Sequence, residues 1–189
     1  MPNYSLGSLT AVPASSRPEL LAAPVLAAIT AAGLLDEVGV VEIDAAISDT
    51  AATQEAFGLT SDTLANCVVV AGKRDGVEKI AACVVLASTR ADVNSTVKRH
   101  LEVRKASFLP MDSAVSLSGM EYGGITPIGL PAGWPVLVDS AVISADLVVI
   151  GSGIRASKIL IPGALLARFP GVEVLQGLGR PIESAVIEP

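Results

Sequence analysis

Aromatic residues are nearly missing from this 189-residue chain: three Phe, two Tyr and one Trp, 3% in all. Any core must therefore be built from Ala, Val, Leu and Ile. Charge is scarce as well, at 17% of residues, where about a quarter is usual. With 51% apolar residues, disorder is excluded. A single histidine and two cysteines provide neither a Cys/His metal cluster nor a disulfide framework, so no metal or other cofactor is expected. The longest apolar run, Leu20 to Leu35, has sixteen residues and is interrupted by Pro24 and Gly33. A bilayer span takes about 20 apolar residues, so no membrane partner is expected. No positive charge precedes an apolar stretch in the first sixteen residues; no secretory signal is expected there, and the expected location is cytoplasmic.

What is present reads as one domain with room for a sizeable core. Residues 1–16 hold Pro, Gly and Ser without periodicity and are expected to be an N-terminal arm, with residues 17–189 as a single compact domain. A helix from about Arg17 or Pro24 should stop at Gly33. Val38 to Ile43 reads as a strand, and Ser48 or Asp49 can cap a short helix ending at Phe57-Gly58. Asn66–Ala71 and Ile80–Ser88 are β-branched strands joined across Lys73-Arg74-Asp75-Gly76, a hairpin turn signal. Asp92 caps a helix to about Leu101. Short strands follow at Val103–Phe108, Val136–Val138, Leu147–Ile150, Ile159–Ile161 and Val172–Leu175, with short helices at Met111–Leu117 and Gly163–Phe169. Several of these strands are joined too tightly for βαβ crossovers. The class is mixed α/β, of the α+β kind.

Several motifs invite chemistry. Gly151-Ser152-Gly153-Ile154-Arg155-Ala156 follows a strand and matches the dinucleotide-binding fingerprint, but a strand rather than a helix follows it, and the reading is rejected. Cys67 and Cys83 lie equidistant from the turn, so a regular hairpin would set them nearly opposite; core packing of reduced thiols is expected. Ser88, Asp92, Asp112 and Ser116 could build a triad only with His100, which sits on a basic helix end. Ser118 to Pro131 packs four glycines and two prolines into fourteen residues. Bare backbone N–H groups there can hold an oxyanion or an oxygen-rich ligand; a structural crossover loop is the other explanation.

The hairpin, the Asp92 helix, Gly123-Gly124-Ile125-Thr126-Pro127-Ile128-Gly129, Pro135-Val-Leu-Val-Asp139 and Gly151-Ser152-Gly153-Ile154-Arg155 follow one another in an order that resembles the YbaK/EbsC-type aminoacyl-tRNA deacylases. These are relatives of the prolyl-tRNA synthetase editing domain, and the resemblance runs from about Pro24 to Leu178. It implies a curved, barrel-like, mostly antiparallel sheet flanked by short helices. It also implies hydrolysis of the ester joining a wrong amino acid to tRNA, proline tRNA among the candidates, without a metal. Gly123 and Gly124 then match the amides that bind the carbonyl, and Thr126 and Pro127 continue that loop. Gly151, Ser152, Gly153 and Arg155 match a second loop closing the pocket, and Asp139 matches an acidic residue, though a capping role explains it equally. The pocket lysine of the resemblance falls on Asn66, which can donate hydrogen bonds but carries no charge. Lys158 is expected to enter from the other wall and partly replace that charge; a surface lysine on a strand edge is the other explanation. Loss of the lysine also leaves a binding module with weakened or no chemistry as the alternative.

Net charge is −6, but unevenly spread: residues 1–62 carry −7, residues 63–110 carry +4 and residues 111–189 carry −3. The implied partner is an aminoacylated tRNA, with a synthetase as an allowed companion and no DNA. Lys98, Arg99, Arg104 and Lys105 are its expected contacts, weak and salt-sensitive. The apolar first helix leaves a homo-oligomer open.

Overall fold

The computed structural model describes residues 4–182. The first surprise lies inside the expected arm. Tyr4–Leu6 (β1) and Leu9–Pro13 (β2) form a hairpin closed by Gly7-Ser8, with Leu6 opposite Leu9. Leu9 and Ala11 are buried while Thr10 and Val12 face out, the two-residue alternation of a half-covered strand. Residues 4–13 therefore belong to a sheet.

After one 3-10 turn come α1 (Ala23–Ala31), with Pro24 in its first turn, and β3 (Gly39–Glu42). Helix α2 (Thr50–Phe57) starts on Asp49, whose carboxylate accepts from the Ala52 N–H at 2.9 Å, and ends on left-handed Gly58. Strands β4 (Ala65–Arg74) and β5 (Val77–Leu86) make the long hairpin. Both turn residues, Asp75 and Gly76, have positive φ, as a two-residue turn requires. Next are β6 (Thr89–Ala91) and a π-type turn over Val93–Val97, capped by Asp92 and running into α3 (Lys98–His100). Then come β7 (Lys105–Phe108), α4 (Met111–Ser118), β8 (Val136–Asp139) and α5 (Ser140–Ile143). The chain continues through β9 (Val148–Gly151), β10 (Ser157–Ile161), α6 (Gly163–Leu166), β11 (Val172–Leu175) and β12 (Gly179–Pro181).

One sheet runs β1-β2-β3-β10-β9 and is wholly antiparallel. The other runs β11-β8-β5-β4-β7 and is mixed, because β8 lies parallel to both β5 and β11. A parallel bridge from Leu64 to Val149 joins the start of β4 to β9, so the curled antiparallel sheet and the mixed sheet meet there. Strands β6 and β12 form a separate antiparallel ribbon. Val40, Ile150, Ile159 and Ile161 of one sheet pack with Ala82, Val84, Val136 and Val138 of the other and with Val25 and Ile29 of α1. Burying each Val, Leu or Ile contributes about 1.5–3 kcal/mol. A second cluster (Val70, Ala81, Cys83, Val85, Leu137) is covered by Val93, Val97 and Leu101. Strand β5 is thus buried on both faces from Ala81 to Leu86, which explains why it reads as an unbroken apolar run rather than an alternation.

The two cysteines do not face each other. Cys67 pairs with Val84, and Cys83 pairs with Val68. A one-residue offset sends them to opposite faces of the sheet, and both are free thiols. Burial pushes both thiols above the usual cysteine range. Gly151-Ser152-Gly153 joins two antiparallel strands, β9 and β10, so no helix opens on it. No described helix is long and apolar enough to cross a membrane.

Candidate active site

The Gly/Pro loop is set by backbone contact. The Gly153 N–H donates to the Gly124 carbonyl and the Glu121 N–H to the Gly153 carbonyl, both at 2.8 Å. A Cβ at Gly124 would come within 2.8 Å of Ile154 backbone atoms; only glycine allows this approach. Arg155 then staples the loop to the segment before α2. Its guanidinium donates to the carbonyls of Tyr122 (3.2 Å) and Ala45 (3.0 Å), and its own N–H donates to Glu121 Oε2 at 2.6 Å.

Between this loop, the start of α2, β4 and β10 lies a cavity of about 290 Å³. Asn66, Gly123, Gly151 and Lys158 line it together, with Ser48, Asp49, Thr50 and Tyr122. Its apolar walls include Leu64, Val68, Ile125 and Ile150. Lys158 is 7% exposed and its Nζ donates to the Ser48 carbonyl at 2.6 Å. Desolvation is the main cause that lowers its pKa to about 8; the nearby Asp49 carboxylate opposes the shift and Arg155 adds to it. Asn66 Oδ1 accepts from the Thr50 hydroxyl at 2.5 Å, which fixes the amide and leaves Nδ2 with no acceptor among the described residues. The Gly124 N–H is engaged by the Glu121 carbonyl at 2.9 Å. On the cavity wall the Gly123 and Ile125 N–H groups have no acceptor among the described residues.

The other expected site residues stand further back. Ser152 is fully buried, its hydroxyl 2.6 Å from that of Ser157. Gly153 packs on Ala22, and Thr126 is buried with an unpartnered hydroxyl. Pro127 faces a separate apolar depression beside Trp134. Asp139 caps α5 and accepts from the Gly179 N–H at 2.7 Å, the capping explanation. Lys98 and Arg99 line neither this cavity nor the neighbouring groove, and Arg104 lies 3.7 Å from Asp75. Lys105 does line that groove. His100 pairs with Glu173 at 3.1 Å and Ser88 donates to Asp62, so no triad forms. Sequence reasoning read Asp49 only as a cap. Among the described residues it is also the one carboxylate on the cavity wall; its position before α2 next to the Gly loop was not visible without the fold.

Among the described residues no group of three or more His, Cys, Asp or Glu side chains is arranged to hold a metal. No curated protein matches the chain. Many solved structures are similar to it, three of them as follows. A protein proposed to be a trans-editing enzyme for prolyl tRNA synthetase superposes with a TM-score of 0.69 at 19% identity, over 82% of this chain and 94% of that one. A scaffold used for epitope grafting gives 0.68 at 19% identity, over 82% and 95%. The hypothetical protein APE2540 gives 0.68 at 21% identity, over 80% and 97%. At such identities the likeness concerns the fold, which is YbaK-like. The sequence profile of the aminoacyl-tRNA editing domain covers residues 44–169, from the segment carrying Asp49 to the end of the strand carrying Lys158 and beyond, and the chain belongs to the aminoacyl-tRNA editing domain family.

Proposed function

We propose that this chain is an aminoacyl-tRNA deacylase of the cytoplasm, acting on a mischarged tRNA. The observation that carries the reading is one small cavity with hydrogen-bond donors on two walls and a single carboxylate at its edge. An aminoacyl ester needs that set. Its carbonyl oxygen accepts from the Gly123 N–H and the Lys158 ammonium, and its α-ammonium is held by the Asp49 carboxylate. Water adds to the carbonyl carbon, and the developing oxyanion is stabilised by the same donors. The ester C–O bond then breaks, the amino acid leaves as a carboxylate, and the terminal ribose hydroxyl of the tRNA regains its proton. Asn66, held by Thr50, adds a neutral donor, and the charge comes from β10.

The test is a panel of mischarged tRNAs. Cysteinyl- and alanyl-proline tRNA come first because of the prolyl-tRNA relative in fold. Hydrolysis of at least one member above the spontaneous rate is expected; none at all would leave the binding module. Asp49→Asn separates two roles of one residue. Asparagine caps a helix as well as aspartate does, so thermal stability should stay within about 0.5 kcal/mol. The charge-assisted bond to the α-ammonium is worth about 1.5–3 kcal/mol, so kcat/KM should fall about tenfold or more, mainly through KM. An unchanged KM would remove Asp49 from the site.

A further inference from the structure

We propose that the groove adjoining the cavity holds the unpaired 3′-terminal nucleotides of the tRNA, with Phe108 as a stacking platform and Arg90 and Lys105 as phosphate partners. The inference rests on the reading of the first cavity as the aminoacyl site. The ester bond lies at the last ribose, so the preceding nucleotides must leave that cavity through whatever space opens from it. A groove of about 630 Å³ adjoins it, sharing Asn66 and Val68 with the first cavity. Its far wall is the β6–β12 ribbon, where Arg90 stands opposite Arg180. Its near wall is the edge strand β7.

The chemistry of the lining fits an unpaired strand. Arg180 is drawn to Asp92 at 3.2 Å, but Arg90 and Lys105 have no carboxylate partner among the described residues. Phe108 is 63% exposed in a chain with only three phenylalanines. An exposed ring sharing one groove with two free cations is the pairing that stacks bases and follows a phosphate backbone. The basic helix end at Lys98 and Arg99 lies outside the groove, so its contribution should be the smaller one.

The test uses an uncharged RNA hairpin with a single-stranded 3′ overhang and the same hairpin cut blunt, followed by fluorescence polarisation. Wild type should bind the overhang form more tightly. Phe108→Ala should weaken that binding about five- to a hundredfold and leave the blunt form nearly unaffected. Arg90→Gln with Lys105→Gln should flatten the salt dependence, the slope falling by about 0.7 for each phosphate no longer neutralised; Lys98→Gln with Arg99→Gln should change it less. Equal binding of the two hairpins by wild type, or full affinity in Phe108→Ala, would overturn the groove. Hydrolysis of an aminoacyl ester of adenosine, followed separately, reads the cavity alone. Cleavage of that ester without recognition of the overhang refutes the groove and keeps the deacylase; recognition without cleavage does the reverse.

Discussion

Lys158→Met is expected to lower kcat/KM for ester hydrolysis by about 10²–10³-fold, the loss typical of removing one oxyanion donor. Methionine keeps the stem's shape and stays apolar, so the buried wall of β10 should hold. The wild-type pH profile should carry the same signature. Burial holds the Lys158 ammonium at about 8, so its catalytic charge is present below that pH and is lost as pH rises through it. An ordinary lysine would stay charged to about 10.5. After subtraction of spontaneous hydrolysis, wild-type activity should fall above pH 8, and the variant's small residual activity should not. Stability should move the opposite way. Between about pH 8 and 10.5 the unfolded chain binds the Lys158 proton that the native one has released, so this group's contribution, read as wild type minus Lys158→Met, rises with pH there. The rise is on the order of 3 kcal/mol, and Lys158→Met should lack it. Asn66→Lys in the Lys158→Met background should restore part of the rate by moving the charge to the opposite wall. In the wild-type background it should not help, because two ammonium groups would then share about 290 Å³. A fully active Lys158→Met variant, or a wild-type profile flat from pH 7 to 9, would remove Lys158 from the chemistry.

How far the sequence could be read depends on which signals are local. The Asp49 cap, the Gly58 and Gly119 helix ends and the Asp75-Gly76 turn are chemistry of adjacent residues, and their sites were visible. The N-terminal hairpin was local too. Gly7-Ser8 is a two-residue turn signal, but Tyr4–Leu6 is too short to show alternation beside Pro and Ser neighbours. The cysteine register failed on a single residue. Setting Cys67 opposite Cys83 requires a turn centred on Asp75, whereas the Arg74–Val77 pair closing the loop centres it between Asp75 and Gly76 and shifts every partner by one. The site was half visible: Gly123, Gly151, Lys158 and Asn66 do share one cavity. What stayed hidden is what strand pairing decides. Engagement of the Gly124 N–H by Glu121 is short-range, but it follows from how the loop docks on Gly153. The inward turn of Arg155 joins residues 33 and 110 positions apart in the chain, and the arrival of Asp49 at the cavity depends on the same long-range docking.

Gly151→Ala should damage both stability and activity, for a reason that no property of residue 151 alone contains. Its backbone is not left-handed, so alanine is conformationally welcome there. The obstacle is that an added Cβ would sit 2.4 Å from the Gly124 carbonyl oxygen and 2.8 Å from that of Ile125. Both are backbone atoms, and no rotamer change can clear them. The loop must lift off β9, straining the Gly153-to-Gly124 bond and the Arg155 staple; such overpacking costs about 1–3 kcal/mol. The catalytic cost should be larger. Gly151 is the strand partner of Lys158, so lifting the loop shifts the Gly123 N–H relative to the ammonium on the wall of the same cavity. A displacement near 1 Å between such groups costs about 10²-fold in rate. Gly133→Ala is the control. Its φ is +88° and nothing lies within 4 Å of the added methyl, so only conformational strain of about 1 kcal/mol applies. Gly133→Ala should therefore lose some stability and keep its hydrolysis rate. If thermal unfolding and ester hydrolysis rank the two variants equally, the loop is not held in place by backbone contact at Gly151, and the cavity's donors are fixed by something else.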